Sequence, residues 1–341
     1  MKTYNVLLPS LDRQGPTILA MDLAYAAGDA GYQVTVMYLK ERKNFFKKHN
    51  NVTFCKASFF NLLRTKNNLH SHCLFPDLLN SLISTKEIIF RRSFNSISTV
   101  PSYIYFDMRY SHGKTIAYFF WNLWKLLTRC IKHKVVLSET MKRFYNRFDS
   151  GYNYEVIYHS RPVETNKFGS KVKRGQVKKL IYIGVLNDRK NIISLIDHVA
   201  KATNLELDIY GCGPLIQHVK EKALHHNENI TYCGFDSNIS KKIGLYDCLV
   251  LPSFAEGLPT VVIEAANIGV PCLLSNIAVH RELESFGLGV VFDHRSFGNF
   301  NRKVLQLTQT ARQREKRWVN HQHLFDFFKN SQRYRKLLDG E

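Results

Sequence analysis

Two carboxylates eight residues apart, Glu256 and Glu264, stand in the segment YDCLVLPSFAEGLPTVVIEAANIGVPCLLS at residues 246–275. The apolar run Cys248–Pro252 predicts a buried strand, the next residues to Pro259 a loop, and Thr260–Ile268 a helix that starts directly after it. A loop at the carboxyl end of a parallel strand is where open α/β sheets bind ligands. Backbone N–H groups from Gly257 through Leu258 and Thr260 to Val261 then face the ligand and suit a phosphate or an oxyanion. A carboxylate beside an anion site is costly unless it has another task. Accepting hydrogen bonds from hydroxyls is that task, and a ribose diol offers two donors at once. The plain alternative is a carboxylate that caps the helix plus a solvated glutamate.

Two further segments carry candidate groups. YIGVLNDRKN, residues 182–191, runs from a strand into a loop with adjacent cations. Arg189 is a planar fork and Lys190 a point charge, a pair able to clamp a diphosphate; a solvated basic loop is the plain alternative. LELDIYGCGP, residues 205–214, holds Gly211 and Gly213. A dinucleotide fingerprint needs a third glycine at position 216, where Ile216 stands, so NAD is disfavoured and a tight structural turn is an equal reading. The sequence has no Asp-x-Asp pair, so neither a metal nor another cofactor is expected.

The elements that must position these groups repeat one theme. Residues 4–8 read as a strand, 9–16 as a loop containing Gly15, 17–30 as a helix closed by Gly31, and 33–38 as the next strand, which together make a βαβ unit. Strands are expected at 52–55, 96–100, 134–138 and 154–158, with helices at 114–133 and 139–148. The polar, basic stretch ETNKFGSKVKRGQVKK reads as an inter-domain linker. After it the alternation restarts, with strands at 180–183, 205–210, 230–233, 248–252, 271–275 and 289–292. The expected organisation is α/β with domains at 1–163 and 180–315, a linker at 164–179, and a terminal helix at 316–341 that could cross back to the first domain.

Composition narrows the function classes. At 341 residues and 45% hydrophobic, the chain can build two cores. The surplus of 48 Lys and Arg over 28 Asp and Glu, a net +20, implies an anionic partner, and twelve of those net charges fall in residues 1–165. No finger or RNP-like motif favours nucleic acid. Seven scattered cysteines without a C-x-x-C spacing fit the reducing cytoplasm. The N-terminal apolar run is too short for a signal peptide, and no stretch approaches the roughly 20 residues needed to span a bilayer.

The segment around Glu256 and Glu264 resembles the E-x7-E signature of retaining glycosyltransferase family four, the group 1 transferases of GT-B fold. The pattern PS-x-x-EG-x-P-x-x-x-x-EA-x-x-x-G-x-P is reproduced position for position. The resemblance implies two Rossmann-like domains with parallel sheets facing a donor-binding cleft. It implies a nucleoside-diphosphate sugar as donor, with Glu256 beside the donor sugar and Glu264 on the ribose. The diphosphate leaves by front-face displacement without a metal, and its own oxygen helps deprotonate the acceptor hydroxyl. Residues 184–191 resemble the family's G-R-L-x-x-x-K-G loop: Gly184 and Lys190 match, Val185 replaces the family arginine, and Asn191 replaces the glycine. Arg189 is then the candidate to supply the missing charge. Gly211 matches the family's G-x-G-P, and Gly15 matches part of its N-terminal glycine loop. The family often carries a histidine after the strand at 96–100, where Pro101 stands here; His70, His72 and His112 are nearby, and none is assigned to catalysis.

By resemblance the acceptor is a saccharide, often lipid-carrier-linked, in O-antigen, capsule or exopolysaccharide synthesis. The rivals are a sugar-nucleotide epimerase of the same fold and a catalytically silent homologue that binds a sugar nucleotide as a scaffold. An anionic membrane surface is a further candidate partner, on the cytoplasmic side. KTIAYFFWNLWKLLTRCIKHK, residues 114–134, carries a helical stripe of Phe120, Trp124, Leu127 and Ile131 between cations. An ordinary core-packing helix explains the same stripe. Residues 42–48, RKNFFKK, are a second candidate contact.

Overall fold

The computed structural model describes residues 2–12, 14–40, 46–149, 151–162, 177–202, 204–226 and 228–341. Most of the expected linker, residues 164–176, and positions 42–45 of the second basic stretch lie outside the described residues. The chain divides into two compact units, Met1–Pro162 with Leu324–Glu341, and Val163–His323.

The first unit runs β1 (Thr3–Ser10), α1 (Gly15–Asp29), β2 (Gln33–Lys40), β3 (Val52–Lys56), α2 (Phe59–Leu63), β4 (Asn68–His72), α3 (Leu74–Ile89), β5 (Asn95–Val100), α4 (Ile104–His112), α5 (Lys114–Leu127), β6 (His133–Val136), α6 (Glu139–Phe148) and β7 (Glu155–Val156). Its seven described strands form a parallel sheet in the order β3-β2-β1-β4-β5-β6-β7. The order reverses between β1 and β4, the switch point of an open sheet. Leu7, Met37, Leu62, Leu69 and Ile83 form a core cluster.

The second unit runs β8 (Lys179–Ile183), α7 (Ile192–Ala200), β9 (Glu206–Tyr210), α8 (Ile216–His225), β10 (Ile230–Gly234), β11 (Cys248–Leu251), α9 (Thr260–Asn267), β12 (Cys272–Ser275), α10 (Ala278–Ser285), β13 (Gly289–Phe292), α11 (Phe297–Gln309) and α12 (Ala311–His321). Its described sheet is also parallel, ordered β10-β9-β8-β11-β12-β13, with the switch between β8 and β11.

Three expectations need correction. The sequence reading missed β4 and α3. β4 is NLHSH, buried throughout although only Leu69 is apolar. Side-chain hydrogen bonds make that burial tolerable: Asn68 Nδ2 donates to Thr3 O at 2.7 Å, and Ser71 Oγ donates to Asp77 Oδ1 at 2.6 Å. Tyr4 Oη and Thr99 Oγ1 each lie 2.7 Å from a ring nitrogen of His70. Burial, and then the neighbouring His72, push the His70 pKa well down, so both histidines are neutral core residues. His112 ends α4 and is exposed.

The helix expected over 114–133 stops at Leu127, because a short 3-10 turn at Thr128–Cys130 brings the chain into β6. The terminal segment 316–341 is not one helix either. α12 ends in a turn at Gln322–Phe325, and α13 (Phe327–Asp339) starts afresh where Asp326 Oδ1 accepts the Lys329 N–H at 3.0 Å. α13 belongs to the first unit: Asn330 Nδ2 donates to Tyr158 O at 2.8 Å, and Tyr32 Oη donates to Asp339 at 2.7 Å.

Candidate functional site

β8 and β11 are neighbours across the switch point, so the loops that leave their carboxyl ends meet. The loop after β8 closes in a 3-10 turn at Asp188–Lys190, capped by Asn187, whose Oδ1 accepts from Lys190 N at 3.1 Å. Asn191 follows with φ 53°, a left-handed conformation that Asn tolerates better than most side chains and that explains why a glycine also suits this position. Its Nδ2 donates to Pro252 O at 3.3 Å, and Phe254 N donates to Arg189 O at 2.8 Å. The two loops are thereby tied together by backbone and side chain.

That tie brings Lys190 and Glu256 into contact although they are 66 residues apart. Lys190 Nζ lies 2.5 Å from Glu256 Oε1, and Arg189 NH1 lies 3.6 Å from Oε2. Arg189 NH1 also donates to Ala255 O at 2.7 Å. Glu256 is 6% exposed. Burial alone would raise its pKa, but Lys190 and then Arg189 outweigh burial and, with the Ser253 hydroxyl, bring it down to about 2. The carboxylate is therefore ionised at every physiological pH, with a cation at each of its two oxygens.

The loop containing Gly257 and Leu258 leads into α9, whose N-cap, Pro259, supplies no side-chain cap. The first-turn amides of Thr260 and Val261 point out of the helix beside the cluster in sequence, and the helix dipole favours an anion there. Glu264, in the second turn of α9, accepts from Ser240 Oγ at 2.7 Å.

Gly184 and Gly211 serve close packing. A Cβ on Gly211, whose φ is 149°, would stand 1.8 Å from Gly184 O. Leu186 N donates to Cys212 O at 2.9 Å, so the loops after β8 and β9 lie backbone against backbone. Val185 is 43% exposed and brings no charge, and its carbonyl accepts from the buried Tyr182 hydroxyl at 3.0 Å. Gly15 starts α1 in the first unit, with open space where a Cβ would go.

His280 had no sequence signal. It sits in α10, buried, with Nδ1 2.9 Å from Ser275 O, which fixes the proton on Nδ1. Among the described residues its buried Nε2 has no hydrogen-bond partner. Burial brings its pKa to about 4, with Glu256 and Lys190 close enough to act on it. Only the packing of α10 under the β11 loop, where Ser275 Oγ donates to Ser253 O at 2.5 Å, brings it there.

Residues 163–322 match the model of the family described as glycosyl transferases group 1. That match runs from the first residue of the second unit to its last but one. The chain is similar to the O-antigen biosynthesis glycosyltransferase WclY of Escherichia coli, with 25% identity over 228 residues. The match covers 63% of this chain and 62% of the relative, so the chain spans less than two thirds of that relative's length. Among solved structures, sucrose-phosphate synthase of Thermosynechococcus elongatus aligns over the whole of both chains with a TM-score of 0.79 at 14% identity. HepE of Anabaena, solved in complex with UDP-glucose, aligns over the whole of both chains with a TM-score of 0.78, also at 14% identity. The architecture is GT-B, with two Rossmann-like parallel sheets.

Proposed function

We propose that the chain is a retaining glycosyltransferase that moves a sugar from a nucleoside-diphosphate sugar to a hydroxyl of a saccharide, in synthesis of a bacterial surface polysaccharide. The observation that carries this reading is the Glu256–Lys190–Arg189 cluster, which ties two cations of the loop after β8 to the loop before the start of α9. The donor diphosphate lies on the amides of Gly257, Leu258, Thr260 and Val261, and Glu264 accepts hydrogen bonds from the ribose diol. Glu256 holds a hydroxyl of the donor sugar. As the glycosidic bond breaks, negative charge grows on the diphosphate, and Lys190 and Arg189 meet it from fixed positions in a site that need not reorganise. They supply the charge that a divalent metal supplies in other transferases, so the reaction runs without one. The leaving oxygen takes the acceptor proton on the same face, and the anomeric configuration is kept. The acceptor is a saccharide carried on a lipid diphosphate, and the likeness to an O-antigen transferase supports that class.

The test is release of nucleoside diphosphate from a panel of nucleotide sugars by the purified protein, with and without lipid-linked saccharide. Acceptor-dependent release that survives a chelator, with a product of unchanged anomeric configuration, is the expected result. One observation favours a second reading, a silent sugar-nucleotide-binding scaffold: the uncharged, exposed Val185 stands where the family has an arginine. Tight donor binding with no release under any acceptor would establish that reading instead. Interconversion of the donor sugar without acceptor would point to the epimerase.

A further inference from the structure

The helix at residues 114–127 does not present the stripe its sequence suggested. Trp124 is wholly buried, and so is Ile131 beyond the helix end; Lys134, counted among the flanking cations, is buried too. The opposite face of α5 is the exposed one, and it is also apolar: Ile116, Phe119 and Leu126 point to solvent. α3 does the same with Phe75, Leu82 and Ile89, spaced by sevens along one face. The two helices are neighbours. Trp124 Nε1 donates to Asp77 Oδ2 at 3.0 Å, and Ser81 Oγ donates to Leu127 O. On the far side of α3, Lys86 Nζ donates to Leu63 O at 2.7 Å, which joins α2 to the layer with its exposed Phe59 and Phe60.

The result is one layer, α2-α3-α5, that holds eleven of the twenty-two large apolar side chains left exposed among the described residues. Such concentration marks an interaction surface. Its charge says what kind. Residues 57–67, 74–94 and 113–132 contain nine lysines and arginines. Their only acidic residues are Asp77 and Glu87, and both are buried. A second copy of the same face would set cation against cation. An anionic bilayer offers the complement to both features: acyl chains for the rings and branched side chains, and phosphates for the cations. Among the described residues no helix is long and apolar enough to cross a membrane, so contact is made in the plane of the headgroups.

We propose that the α2-α3-α5 layer of the first unit docks flat on an anionic lipid bilayer, with Phe75, Leu82, Ile89, Ile116, Phe119 and Leu126 entering the headgroup region. The proposal stands independently of the transferase reading, since it concerns lipid and not a sugar nucleotide. The experiment is co-sedimentation of the full chain with phosphatidylcholine vesicles, with and without phosphatidylglycerol, at low and high salt. Binding is expected only with phosphatidylglycerol, and it weakens as salt rises. Leu82→Ser, Ile89→Ser and Phe119→Ser together should weaken it about tenfold or more. Arg92→Ser, Lys114→Ser and Arg129→Ser together should weaken it on the order of a hundredfold. Leu224→Ser, an equally exposed apolar position on α8, should leave binding as it is. If the apolar variant does not fold, as read by its melting curve, the cation variant alone decides. The proposal is overturned if the wild type ignores phosphatidylglycerol vesicles at low salt, or if folded variants bind like wild type. It is also overturned if the wild type sediments as a dimer that the apolar variant dissociates, which would make a second copy the occupant.

Discussion

Lys134 and Lys190 are both cations withdrawn from water beside a carboxylate, and they differ in what else surrounds them. Lys134, on β6, is completely buried, with Nζ 3.5 Å from Asp149 Oδ2. Three rings enclose it, with centroids 4.3 Å away for Tyr152, 4.8 Å for Trp124 and 5.5 Å for Tyr154. Asp149 in turn accepts the Tyr154 hydroxyl at 2.7 Å. Burial lowers the Lys134 pKa, and Asp149 and the rings hold the charge that remains. Asp149 and the rings are its neighbours, and they lie inside the first unit. Lys190 pairs with Glu256 at 2.5 Å, and Arg189 joins from the other carboxylate oxygen, so two cations stand next to the loop that opens α9. Burial of a charge is therefore no mark of a site. Cations gathered at the carboxyl ends of neighbouring parallel strands are one.

The largest expected effect tests that placement. Lys190→Ala should lower turnover on the order of 100- to 1000-fold while raising the donor Michaelis constant far less, because the charge it meets develops in the transition state. Steady-state kinetics across donor concentrations check it. Equal and small changes in both constants would put Lys190 in the same structural class as Lys134. The same cluster has a pH signature. The folded pKa of Glu256 is depressed, so its stabilising contribution is complete above the unfolded carboxylate range. It is lost only as pH falls from about 4.5 towards about 2. The stability difference between wild type and Glu256→Gln, followed by urea denaturation, should therefore be flat from neutrality to mildly acid pH and shrink below that range.

Lys134→Met should act the other way round. It leaves Asp149 buried with one partner and should cost about 3 kcal/mol of stability, read by denaturant unfolding. Turnover per folded molecule should stay at the wild-type level. A variant that keeps its stability and loses turnover would erase the distinction between the two lysines. The smallest effect is expected at Glu264. Glu264→Gln should weaken nucleotide binding by roughly 1.5–3 kcal/mol, the scale of hydrogen bonds to a charged acceptor. Calorimetry with the nucleoside diphosphate checks it, and an unchanged affinity would leave Glu264 as no more than the partner of Ser240.

The sequence by itself determined the βα alternation of both halves, because buried parallel strands and amphipathic helices carry their periods locally. It also determined the loop–helix with Glu256 and Glu264 and the adjacent cations Arg189 and Lys190, since each group lies within one short segment. It did not reveal β4, whose polar residues become core only through partners on β1, β5 and α3. It could not say which face of α5 meets solvent, because both faces are apolar, and contacts with α3 and α6 decide between them. Nor could it pair Lys190 with Glu256 or bring His280 near them. Those groups come from three separate βα connections, and only the adjacency of β8, β11 and β12 in the sheet sets their loops side by side. A local pattern fixes what a segment is; the hydrogen-bonded order of strands fixes what it touches.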